Sequence, residues 1–102
     1  MYSIPDEDGV SIIYEDSCGH GTSVAGIIAA KDNDEGITGI NPNVELYSAR
    51  VLDSNLSAPV SRVIEAIYWA IDNNVNIINI SFGTTKNSTA LKTAIQDAYN
   101  AG

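Results

Sequence analysis

The sequence predicts an α/β fold, a parallel sheet with flanking helices, and three features carry that expectation. Val44 to Leu52, with little polar content, is a strand candidate and Val75 to Phe82 a second, both rich in β-branched residues. Between them Val60, Val63, Ile64, Ile67, Ala70 and Ile71 recur at the 3.6-residue period of an amphipathic helix. Strand, helix and strand at that spacing suit a right-handed βαβ crossover.

Taken in chain order, Met1 to Ser17 is polar. It holds an acidic turn at Asp6-Glu7-Asp8-Gly9 and a short β-like run from Val10 to Tyr14, so a loop with an edge strand is expected. Thr22 to Ala30 is apolar almost all round, which predicts a helix buried on every side with Thr22 as its cap. Lys31 to Gly36 is a polar turn, and Ile37 to Pro42 is a loop punctuated by Gly39 and Asn41-Pro42. For the central helix Ser57 is the expected N-cap, with Pro59 near the first turn. After Gly83, Leu91, Ala94, Ile95, Ala98 and Tyr99 mark another amphipathic helix, capped by Ser88 or Asn87 and stopped at Gly102, where a further strand is due. No repeat, low-complexity tract or linker interrupts the chain, so residues 1–102 are expected to form one α/β unit.

Composition narrows the partners. Five basic against thirteen acidic residues give a formal charge of −8, which repels phosphate backbones and anionic bilayers, so neither nucleic acid nor membrane is an expected partner. No apolar run approaches the roughly 20 residues of a membrane span, and the N-terminus has no basic start followed by an apolar stretch. The chain carries no readable address, and secreted and cytoplasmic locations both stay open. The single Cys18 cannot form an intrachain disulfide.

The most informative run is Gly19-His20-Gly21-Thr22-Ser23-Val24-Ala25-Gly26, which sets the only histidine at the mouth of a helix. The positive end of the helix dipole favours a neutral ring able to accept a proton, as a general base must. The neighbouring glycines permit a tight turn and close approach of a substrate. On residue type alone, a lone histidine is more often a surface or hydrogen-bonded structural residue.

The motif His20-Gly21-Thr22-x-Val24-Ala25-Gly26 resembles the histidine motif of the subtilisin-like (S8) serine peptidases. Later landmarks keep the family's order and approximate spacing: Gly36-Ile37-x-Gly39-Ile40-x-Pro42, Leu46 to Leu52, Ile64-x-Ala66-Ile67-x-Trp69-Ala70, and Ile78 to Gly83. The resemblance implies a subtilisin-like parallel sheet with flanking helices, of which this chain is an incomplete, central portion. It implies that His20 takes the proton of a serine hydroxyl and later delivers it to the leaving amine, the role known from the subtilisin triad. By the same resemblance Ser81, Phe82 and Gly83 end a strand whose backbone pairs with an extended peptide. Leu56-Ser57-Ala58 is the opposing edge, with Ser57 and Ala58 binding substrate and with Leu56 and Ala58 standing where the family often has glycine. Val60 lies near a more distant side-chain pocket.

Other family landmarks are not found. The Asp-Ser/Thr-Gly setting of the triad aspartate does not occur, and Asp6, Asp8 and Asp16 are unsuited, so that role is unassigned. Neither the serine motif Gly-Thr-Ser-x-Ala-x-Pro nor the oxyanion asparagine is present. Gly21 to Ala25 mimics the serine motif, but it overlaps the histidine motif, lacks the proline and sets Ser23 inside a helix expected to be buried. Ser23 is therefore not read as a nucleophile, and Cys18 is read as a small packing residue rather than a partner of His20. Asn33, Glu35 and the carbonyls around Lys31 and Ile37 occupy a loop where some family members bind calcium. A solvated loop is the preferred reading, and no cofactor is expected. The resemblance thus implies an endopeptidase acting through an acyl-enzyme on peptide or unfolded protein, with the remainder of the peptidase domain as partner. The chain alone is expected to be inactive and poorly stable. The alternative is a non-catalytic homologue that serves as a peptide-binding or regulatory module.

Overall fold

The computed structural model describes residues 18–102. Among them are three helices, α1 (His20–Ala29), α2 (Val60–Asp72) and α3 (Thr89–Ala101), and no strand. The expected α/β architecture with a parallel sheet is therefore overturned: 44–52 and 75–82 carry no regular secondary structure. The reason lies in what a strand is. Helical bonds close within one segment, whereas a strand exists only through a ladder to a neighbour, and β-branched composition supplies no neighbour. Without one, Ile77 is 86% exposed and Ile80 43%. The βαβ crossover falls with the sheet, while its helix stands. The acidic turn and the Val10 to Tyr14 run lie outside the described residues.

The described chain divides between Arg50 and Val51 into two compact units. In the first, α1 begins at His20, earlier than expected, and its N-cap is Gly19 rather than Thr22. Gly19 sits at φ 78, a left-handed conformation that residues with a Cβ rarely adopt. It has no capping side chain, and Ser23 closes the turn, its amide and its hydroxyl donating to the Gly19 carbonyl at 3.0 and 2.8 Å.

At its other end α1 leaves carbonyls without intrahelical partners, and the returning chain takes them. Gly39 N–H donates to the Ala30 carbonyl at 2.9 Å, Ile40 to Ile27 at 3.0 Å and Asn41 to Ile28 at 2.8 Å. So close an approach needs glycine at 39, where a Cβ would stand 2.5 Å from the amide nitrogens of Ala29 and Ala30. No residue of α1 is buried, and Ile27 is 63% exposed, which corrects the expectation of burial on every side. An apolar surface states what a helix could bury, and coverage depends on partners elsewhere in the chain.

The second unit is built on α2 packed against α3. Ile67, Ala70 and Ala94 supply the buried contact, and Ala94, fully enclosed, lets the two backbones come close. Both helices match their periodic patterns, but their starts differ. α2 begins at Val60 with Pro59 as an N-cap that has no capping side chain, so the expected cap Ser57 is corrected. Ser57 is held instead by the preceding loop, its carbonyl accepting from Asp53 N–H at 2.8 Å. α3 resolves the choice between Asn87 and Ser88: Ser88 Oγ accepts from Leu91 N–H at 3.2 Å. Ser88→Ala should lower stability by about 1 kcal/mol, read as a lower urea midpoint with an unchanged slope.

Tyr68 of α2 donates its hydroxyl to Asp97 Oδ2 of α3 at 2.6 Å on the exposed side of the pair. That bond, then partial desolvation and the Asp97 charge, raise the phenol above its ordinary range. A raised folded value means that the contribution is whole below the unfolded phenol's pKa and is lost as pH rises through the folded one. Tyr68→Phe should therefore melt slightly below the parent chain at neutral pH, with the gap closing above about pH 10 in thermal melts.

Candidate active site

His20 is the first residue of α1, at the amide end of the helix, and is half-buried. Cys18, two residues before it, is exposed. Ser23 is exposed rather than buried as expected, and its hydroxyl donates to the Gly19 carbonyl in the turn that presents His20.

The expected substrate-binding residues Ser57, Ala58, Ser81, Phe82 and Gly83 all fall in the second unit, and His20 in the first. Ser81, Phe82 and Gly83 are exposed and belong to no strand, so the expected strand end is corrected to an exposed irregular segment. Within it Asn79 Nδ2 donates to Ser81 Oγ at 2.8 Å.

Ser57 and Ala58 close a loop organised by Asp53, a residue that sequence reasoning passed over. Asp53 Oδ1 accepts from the amides of Asn55 at 2.8 Å and Ser57 at 2.9 Å. The Asp53 carbonyl accepts from Leu56 N–H at 3.0 Å. The backbone bonds from Ser57 and Asn55 hold the Asp53 carboxyl below the usual carboxylate range against a smaller opposing effect of desolvation, and the Arg62 charge adds the least. Leu56 is left at φ 58, a conformation uncommon for a bulky side chain, in a place where the S8 pattern often has glycine. Asp53-Ser54-Asn55 was the available signal, since aspartate readily bonds the backbone two residues on.

Among the described residues no group of three or more His, Cys, Asp or Glu side chains could hold a metal ion. In the loop considered for calcium, Asn33 Oδ1 accepts from Glu35 N–H at 3.2 Å and Asp32 Oδ1 from Thr38 Oγ1 at 3.4 Å. These oxygens bond groups of their own turn. Nor is any described helix long and apolar enough to cross a membrane. An open cleft of about 590 Å³ in the second unit, bordered by Ile71, Val75, Ile78, Ala98 and Tyr99, contains none of the expected site residues.

Residues 3–102 match the model of the subtilase family, peptidase S8. The chain is 48% identical over 89 residues to a thermostable alkaline protease of Halalkalibacterium halodurans, covering 87% of this chain and 25% of that protein. It is 47% identical over 89 residues to subtilisin E of Bacillus subtilis, with 87% and 23% covered. It is likewise 47% identical over 89 residues to a subtilisin of Bacillus pumilus, with 87% and 32% covered. This chain belongs to the subtilase family of serine peptidases. It spans a quarter to a third of the length of these relatives.

Proposed function

We propose that this chain is the part of a serine endopeptidase that supplies the general base, His20, and two segments that grip the substrate. The observation that carries the reading is the motif His20 to Gly26, set so that its histidine opens α1 on a left-handed glycine turn. The names of the relatives, an alkaline protease and subtilisins, support it. In the proposed reaction His20 accepts the proton of a serine hydroxyl as the oxygen attacks the scissile carbonyl, and returns it to the leaving amine. Water then hydrolyses the acyl-enzyme, again with His20 as base. The serine and the aspartate come from segments that these 102 residues do not contain, so the chain alone does not hydrolyse peptides.

The substrate is an extended peptide or unfolded protein, held between Ser81-Phe82-Gly83 and Ser57-Ala58. Main-chain recognition is tolerant of sequence, which suits an endopeptidase. A net charge of −8 disfavours nucleic acid and anionic membrane as partners, and the chemistry requires no cofactor. The test is labelling of the full-length protein with a serine-directed phosphonate. Labelling that disappears in His20→Ala supports the reading, and absence of labelling in the unsubstituted protein leaves a peptide-binding homologue without catalysis.

A further inference from the structure

Resting on the reading of Leu56-Ser57-Ala58 as a substrate-binding edge, we propose that Asp53 is a positioning residue that holds this edge in the shape an extended peptide requires. The segment from Asp53 to Pro59 has no helix or strand to fix it, so its form must come from side chains. Its flanks are anchored. Val51, 6% exposed, lies in the core, and its carbonyl accepts from Arg62 Nη1 at 3.5 Å, while the Pro59 carbonyl accepts from Arg62 N–H at 3.1 Å.

Between these anchors Asp53 makes four bonds into the loop. Its Oδ1 takes the amides of Asn55 and Ser57, its carbonyl takes the amide of Leu56, and its own N–H goes to the Ser57 carbonyl. A carboxylate accepting two amides makes stronger bonds than a neutral acceptor does. Both main-chain groups of Ser57 are thus turned inward at 2.8 and 2.9 Å. A peptide on this edge must therefore be met by the Leu56 carbonyl and the Ala58 amide, whose alignment depends on the Asp53 latch. Leu56 at φ 58 cannot hold that conformation cheaply, so loss of the latch frees it to relax toward negative φ and swings both groups.

A latch of this kind acts on binding rather than on chemistry, and on long substrates rather than short ones. In the full-length peptidase, Asp53→Ala should raise KM for a tetrapeptide p-nitroanilide about ten-fold, the size of losing one to two net hydrogen bonds, with kcat unchanged. Hydrolysis of acetyl-tyrosine ethyl ester, which does not reach this edge, and the rate of phosphonate labelling should stay at parent values. Asp53→Asn, which keeps an acceptor oxygen, should restore most of the loss. Labelling with an unchanged KM in Asp53→Ala, or Asp53→Asn as impaired as Asp53→Ala, overturns this inference alone. No labelling in the unsubstituted protein sinks the peptidase reading and this inference with it.

Discussion

Replacing His20 by alanine in the full-length protein should lower kcat by about a million-fold while leaving KM within a few-fold, a magnitude taken over from subtilisin's own triad histidine. The asymmetry follows from what the ring does. A neutral serine hydroxyl is a poor nucleophile, and the imidazole removes its proton only as the bond to carbon forms. That interaction belongs to the transition state, so its loss should appear in kcat, whereas the segments at 57–58 and 81–83, proposed above to grip the peptide, should keep KM. Residual turnover of 10³- to 10⁴-fold over water, from binding and oxyanion stabilisation, is expected to survive in the variant. Steady-state kinetics on a tetrapeptide p-nitroanilide read both numbers. A kcat within ten-fold of the parent would remove His20 from the chemistry and, with it, the functional reading.

What could be read from the residues and what could not divides along one physical line. α2 and α3 were legible because a helix bonds within itself, so the apolar spacing of Val63, Ile67 and Ala70, or of Leu91, Ala94 and Ala98, is nearly the whole signal. Ser88 was legible as a cap for the same local reason. The runs 44–52 and 75–82 were misread because strands need a second segment, and composition around Ile77 to Ile80 is silent about where that segment is. Ser57 failed as a cap because Asp53, four residues away, had already claimed its backbone. The face of α1 failed likewise: apolar content at Ile27 and Ile28 cannot say which neighbour covers it. His20 is singled out by its motif and not by its physics, since a lone histidine at a helix mouth is commonly structural.

The same distinction between local and returning contacts decides two glycines of the first unit, and it predicts opposite signs for the same substitution. Gly39→Ala should destabilise the chain by about 3 kcal/mol or more, because the new methyl meets backbone rather than a side chain that could turn aside. Its neighbours would be Ala29 N and Ala30 N, each at 2.5 Å, and Ala29 Cα at 2.8 Å. To relieve that overlap the 39–41 segment must lift from α1, breaking its bonds to the carbonyls of Ala30, Ile27 and Ile28. Gly26, within α1, has nothing within 4 Å of its would-be Cβ. There Gly26→Ala only restricts the unfolded chain and improves helix propensity, so it should stabilise by about 0.5–1 kcal/mol. Urea titrations followed by circular dichroism give both values. Amide exchange at Ile40 and Asn41 should accelerate in Gly39→Ala alone. Equal midpoints for Gly39→Ala and the parent chain would mean that the 39–41 strap does not hold the end of α1.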